Sequence, residues 1–304
     1  MEHRTDQPPS TLDQAYACWF SGDHDGALRS ALVCLTHDPE AHGAIVLVAA
    51  GSLGAGREER VERVAAGAVR ALALRGDLPA ALLSLFCLRA AGASVTALIT
   101  ELAADYGSDS PLLANVPQRP PALPSLRPVP EAPTDLDIEH QVTQVLDAYA
   151  KRVESLPTDQ PRPRFALLSS MPAQSLVRFF ERCSLRHVQP GDCAVREGEP
   201  GSEAYVVLRG ALDVLRGEGG SDDGAEAEGS GVLAELGPGA VFGEMALLTA
   251  APRTATVRAS KASVMLCFSR DELEREASAT PELSEQLVLF CRRRIEANLV
   301  NQAP

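Results

Sequence analysis

Phe242-Gly-Glu-Met-Ala-Leu-Leu-Thr-Ala-Ala-Pro-Arg-Thr-Ala-Thr-Val257 is the stretch on which the reading of this chain turns. It sets one acid, Glu244, and one arginine, Arg253, around a short apolar segment that opens with Gly243. Glu244-Met245-Ala246-Leu247 reads as one helical turn, and the free N–H groups of a first turn attract an anion. Gly243 lets the backbone come close to such a ligand, and Ala246 keeps the same wall low. Arg253 suits a phosphate, because its planar fork offers two parallel N–H bonds where lysine offers a point charge. A phosphate taken out of water requires that compensation. The plain alternative is a turn at Gly243 and a surface ion pair between Glu244 and Arg253.

The flanks consist of short apolar runs broken by glycine. Cys183–Val195 predicts two strands about a Pro190-Gly191 turn, and Glu197–Gly201 predicts a further turn. Ala204–Leu215 predicts two β-rich runs about Gly210, and Val232–Leu236, Thr254–Val257 and Ser263–Phe268 predict three more strands. Many short strands with glycine turns imply an antiparallel jelly-roll barrel. Behind it, Arg270–Ala277 reads as a helix. Pro281 then opens a longer one, with Leu283, Leu287, Phe290 and Arg294 on one face.

The run 242–257 resembles the phosphate-binding cassette of cyclic nucleotide-binding domains, the family that includes regulatory subunits of cyclic-AMP-dependent kinases and bacterial catabolite activators. The spacing of Glu244 and Arg253 matches, as do Ala246, Leu248, Pro252 and Ala255. The glycines at 191, 198, 201, 210, 239 and 243 fall where that family places turns, and the likeness runs from Phe165 to near Leu299. The resemblance implies a ligand site made by Gly243, Glu244, Met245, Ala246, Arg253 and Thr254. In it Glu244 accepts a hydrogen bond from the ribose 2′-hydroxyl. The last helix is implied to close over the purine, with Leu287 and Phe290 as its contacts; packing on the barrel or a homodimer seam is the alternative for both. Thr254 permits cyclic AMP or cyclic GMP, and family frequency favours cyclic AMP. The resemblance assigns the barrel no catalytic residue, no cofactor and no metal.

Upstream, residues 11–107 are rich in alanine and leucine and nearly free of proline. Ala15, Gly22, Asp23, Ala27, Leu28 and Pro39 stand at the spacing of a tetratricopeptide repeat, with Cys18 and Cys34 as departures from its pattern. A weaker second unit covers Glu59–Pro79, and further helices are predicted over Ala80–Ala91 and Val95–Tyr106. This part reads as a small helical-repeat domain that binds a protein partner, with a generic helical bundle as the alternative. Residues 108–134 hold eight prolines and read as an extended linker. Asp135–Val153 reads as a helix with Ile138, Val142, Val145 and Leu146 on one side. It is grouped with the barrel in a domain over 135–300, because the resemblance implies that a helix there moves when ligand binds. The expected class is therefore multidomain α + β, a helical domain followed by a barrel with flanking helices.

Composition narrows the function. The net charge of −13 argues against nucleic acid and anionic membrane as partners. The longest apolar run, Ala44–Ala50, falls far short of the ~18 residues of a spanning helix, and no signal segment opens the chain. Seven widely spaced cysteines without a C-x-x-C pair suit reduced thiols in a cytoplasmic protein. Two lysines, Lys151 and Lys261, among many arginines suggest a GC-rich bacterial genome. The acidic insertion 217–231 lacks the ligand spacing of an EF-hand and reads as a solvated loop. His24, His37 and His42 are not at metal-binding spacing and are expected at the surface or in repeat turns. No P-loop or nucleophile elbow is present. The sequence therefore reads as a non-catalytic cyclic-nucleotide sensor acting on a protein partner. The alternative is an interaction scaffold whose barrel binds no nucleotide. A transcription regulator is disfavoured because about five residues follow Leu299, and a kinase regulatory subunit because the linker carries no Arg-Arg-x-Ser/Ala segment.

Overall fold

A computed structural model describes residues 11–53, 58–116, 138–153, 160–165, 167–216, 232–245 and 252–279. The chain divides into two compact units, one from residues 1–98 and 119–158, the other from 99–118 and 159–304.

The first unit is helical. It comprises α1 (Thr11–Phe20), α2 (His24–His37), α3 (His42–Gly51), α4 (Glu58–Leu74), α5 (Leu78–Ala90), the start of α6 (Thr96–Tyr106) and α7 (Ile138–Val153). The Gly22-Asp23 pair does two jobs at the α1–α2 turn. Gly22 takes φ +83°, and the Asp23 N–H reaches back to the Cys18 carbonyl at 2.9 Å, closing α1 with a Schellman-type bond. The Asp23 carboxylate then accepts from the Gly26 N–H at 2.8 Å and caps α2. The same device recurs at Gly76-Asp77. Gly76 has φ +79°, and the Asp77 side chain caps α5 through the Ala80 N–H at 3.1 Å. Helix α3 is buried from His42 to Ala50, as suits a helix apolar all round. It packs against α2, α4 and α5.

Helix α7 packs against α4, α3 and α2 through Val142, Leu146 and Tyr149. It therefore belongs to the helical unit, whereas the sequence grouping placed it at the head of the second domain. An amphipathic stripe shows that a helix has a buried face but does not say which surface receives it. His42 also corrects expectation. Its side chain is buried beneath Tyr149, with ring centroids 5.7 Å apart, while His24 and His37 are exposed.

The second unit begins within α6, at residue 99, and takes in the first part of the segment read as linker. Residues 108–116 are ordered, with β1 (Leu113–Ala114) paired in parallel with β2 (Arg162–Pro163). Arg162 is fully buried and ion-paired with Asp105 at 3.6 Å, and Tyr106 meets Phe165 edge-on at 5.9 Å. Pro111 lies in a turn just before β1, so the start of this segment is folded chain rather than linker; the remaining prolines of that segment lie outside the described residues. A 3-10 turn, Leu168–Ser170, leads into α8 (Ala173–Arg182), whose first N–H is capped by Asp109 at 2.9 Å.

Eight antiparallel strands follow: β3 (Ser184–Val188), β4 (Cys193–Val195), β5 (Glu203–Arg209), β6 (Leu212–Leu215), β7 (Val232–Leu236), β8 (Val241–Phe242), β9 (Thr256–Ala259) and β10 (Ser263–Ser269). They form two four-stranded sheets, ordered β3-β10-β5-β8 and β4-β9-β6-β7. The core draws Val188, Tyr205, Val207 and Met265 from the first sheet and Val195, Leu212 and Val257 from the second. Among the described residues this is a sandwich; the hydrogen-bonded closure of a barrel is not formed. Helix α9 (Arg270–Ala279) returns to α8, where Arg178 grips the buried Glu276 carboxylate through Nη2 at 2.8 Å and Nε at 3.1 Å.

Candidate functional site

Three segments of the second unit meet around Arg253. Strand β8 ends at Phe242, and Gly243 turns the chain at φ +78° into the helical start at Glu244 and Met245. A Cβ at Gly243 would lie 2.7 Å from Arg253 Nη1 and 3.0 Å from the Glu203 carbonyl oxygen, so side-chain space and backbone sign both demand glycine. Arg253 stands just before β9 and donates from Nη1 to the Gly243 carbonyl at 3.0 Å. The β4–β5 loop holds the other end of this arginine. The Arg253 N–H donates to the Glu199 carbonyl at 2.8 Å, and the Gly198 N–H donates to the Arg253 carbonyl at 2.9 Å. A third bond, from the Glu197 N–H to Thr256 Oγ1 at 3.0 Å, continues the seam.

Glu244 and Arg253 are both charged and both only 8% exposed. Burying a guanidinium is unfavourable unless hydrogen bonds and a counter-charge answer it. Gly243 supplies one bond, and among the described residues Arg253 has no ion-pair partner. The arginine lies 6.0 Å from the centroid of Tyr205, which stacks on Phe242 at 5.0 Å. Tyr205 is fixed at its hydroxyl: Arg186 Nη1 donates to it at 2.8 Å, and the hydroxyl donates to Glu203 at 2.8 Å. Burial, seconded by the bond to Glu203, pushes the Tyr205 phenol up to about 12. Burial likewise pushes the Cys267 thiol up to about 12, which leaves it protonated and unreactive at neutral pH. Tyr205 and Phe242 thus give the site an aromatic border, with the Arg253 guanidinium 6.0 Å and the Arg186 guanidinium 5.5 Å from the Tyr205 ring centroid.

Of the residues named from sequence, Gly243 and Arg253 are in direct contact, Glu244 is buried beside them in the chain, Met245 is half-buried and Thr254 is exposed. Ala246, Leu287, Phe290 and the acidic insertion 217–231 lie outside the described residues. Two contributors escaped the sequence reading. Tyr205 lies in an apolar strand and looks like any core aromatic. Gly201 reads as one more turn glycine, yet a Cβ there would overlap Arg253 Nε and Cζ and approach Nη2 to 2.7 Å.

Residues 185–279 match the family model of the cyclic nucleotide-binding domain. Over 112 residues, 35% of this chain, the sequence is 37% identical to a cyclic nucleotide-gated cation channel protein of Drosophila melanogaster, covering 15% of that protein. Over 113 residues, 37% of this chain, it is 30% identical to a CRP-like cAMP-activated global transcriptional regulator of Mycobacterium tuberculosis, covering 47% of it. The chain therefore spans less than half the length of either relative. Among solved structures, the N-terminal domain of a transcriptional regulator from Streptomyces coelicolor aligns with a TM-score of 0.36 and 26% identity, over 46% of this chain and 92% of that one. The family match places a cyclic nucleotide-binding domain at residues 185–279.

Proposed function

We propose that this protein is a non-catalytic sensor of a cyclic nucleotide, cyclic AMP in preference to cyclic GMP, that passes occupancy of its sandwich to a protein partner held by the helical unit. One observation carries the reading. Arg253 is a buried guanidinium beside the first turn of a helical start, with no counter-charge among the described residues. A phosphate placed against Arg253 supplies the missing charge and accepts from the arginine fork, beside the N-terminal end of the helical start at Glu244. Glu244 is then the acceptor for the ribose 2′-hydroxyl, and the stacked pair Tyr205–Phe242 forms an apolar backing. Cyclic AMP is preferred to cyclic GMP on family frequency and on the likeness to the cAMP-activated regulator. Leu287 and Phe290 are proposed as the purine lid. The helical unit is read as tetratricopeptide-like on its two Gly-Asp turns, the second with the same φ sign and cap as the first. Its partner is proposed to be a protein segment.

Calorimetric titration of the full chain with cyclic AMP and with cyclic GMP tests this. Saturable binding near micromolar, about −8 kcal/mol, is expected for cyclic AMP and is lost in Arg253→Ala. Glu244→Ala is expected to weaken cyclic AMP more than its 2′-deoxy analogue. Absence of heat and of thermal shift with either nucleotide, from a folded protein, defeats the sensor reading in favour of a scaffold.

A further inference from the structure

We infer that Gly201, in the loop between β4 and β5, is a positioning residue for Arg253, and that Gly201 and Gly243 together form a slot that fixes the guanidinium before any ligand arrives. The inference rests on the anion-site reading above for its consequence, though not for its geometry.

Glycine has two common reasons to be required: a positive φ or a lack of room for Cβ. Gly198 and Gly243 have the first, at +81° and +78°, but Gly201 is not among the glycines with positive φ. The backbone at 201 therefore admits an L residue, and only space argues for glycine. That space is taken by one side chain. A Cβ at Gly201 would overlap Nε and Cζ of Arg253 and come within 2.7 Å of Nη2, while a Cβ at Gly243 would come within 2.7 Å of Nη1. Two glycines from different loops thus border different atoms of the same guanidinium. The Nη1 bond to the Gly243 carbonyl then removes the remaining freedom to rotate.

The loop that carries Gly201 also holds the arginine by its main chain, through the Gly198 N–H and the Glu199 carbonyl. Both ends of a long, flexible side chain are therefore set by the segment 196–202. This matters for binding, because a free arginine loses rotamer entropy when it clamps an anion, whereas a pre-set fork loses little.

The conflict created by a methyl at 201 would be with the movable end of a side chain. The fold can relieve it by displacing the guanidinium and leaving the strands in place. Gly201→Ala is therefore expected to keep the melting temperature near wild type while misplacing Arg253. Two readouts on the full chain test this. In nitrogen-15 NMR, the Nε–H resonance of Arg253, assigned by its disappearance in Arg253→Lys, is expected to move in Gly201→Ala. In calorimetry, Gly201→Ala is expected to weaken cyclic AMP roughly 10- to 100-fold, the scale of a hydrogen bond to a charged group. On the Arg253→Lys background, where no planar fork meets the methyl, the same substitution is expected to change affinity less than about 2-fold. An unmoved Nε–H resonance overturns the inference whether or not any nucleotide binds. An equal loss on both backgrounds also overturns it, because Gly201 would then act through the loop backbone. A moved resonance in a protein that binds neither nucleotide upholds the slot and removes the sensor reading.

Discussion

His42 gives the helical unit a pH dependence of definite sign. The imidazole is 6% exposed at the start of α3, with Tyr149 of α7 across its face. Its Nδ1 lies 3.5 Å from the Tyr149 hydroxyl, the limit of a hydrogen bond, and its Nε2 is buried without a partner among the described residues. Burial first, and the Arg75 guanidinium second, lower its pKa from 6.5 to about 4, against the opposing pull of Glu40 and Asp38. The folded form thus keeps His42 neutral while the unfolded chain protonates it near pH 6.5. Between these two values the unfolded state binds more protons, so stability falls as pH falls, and the contribution is fully present only above 6.5. A gap of about two and a half units corresponds to roughly 3 kcal/mol, lost progressively between pH 6.5 and 4. His42→Phe isolates this from the many carboxylates that titrate in the same range. At pH 7 the variant is expected to be as stable as wild type or more so, because it removes a buried nitrogen without a partner. Urea unfolding of both proteins at intervals from pH 7.5 to 4.5 measures the difference. Parallel loss of stability in wild type and variant would refute the reasoning, since His42 would then titrate normally in the folded state.

Two other contacts yield expectations for stability. Arg178→Ala should destabilise the second unit by about 2 kcal/mol by stranding Glu276, which is 3% exposed, with Arg182 at 3.8 Å as its remaining cation. The 42% exposure of the Arg178 side chain keeps the figure at the low end. The double variant Arg178→Ala/Glu276→Leu should recover part of the loss in denaturant unfolding; a double variant as unstable as the sum of the singles would show that the ion pair is not the cause. Asp77→Ala should cost the helical unit about 1 kcal/mol by uncapping α5. Asp77→Asn should restore most of it, and a failure of Asn to do so would locate the role of Asp77 outside the cap.

The Gly22-Asp23 turn, the strand runs broken by glycine and the choice of Gly243, Glu244 and Arg253 as candidates could all be read along the chain, because each rests on residues within about ten positions of one another. A Schellman closure needs a glycine and a cap needs an aspartate, wherever the helices later pack. The setting of these parts could not be read that way. Ile138, Val142, Val145 and Leu146 announce a buried face on α7, but only the packing shows that α2, α3 and α4 receive it and that Tyr149 joins it. His42 stands in a run that looks like the edge of a turn, and its burial depends on a tyrosine 107 residues away. Gly201 looks like its neighbours until a guanidinium from beyond residue 250 is laid against it. Local conformation follows from the covalent preferences of a few consecutive residues, and the sequence by itself determined it here. Which face is covered, which charge is buried and which glycine makes room depend on atoms brought together from distant parts of the chain, and these only the tertiary structure decided.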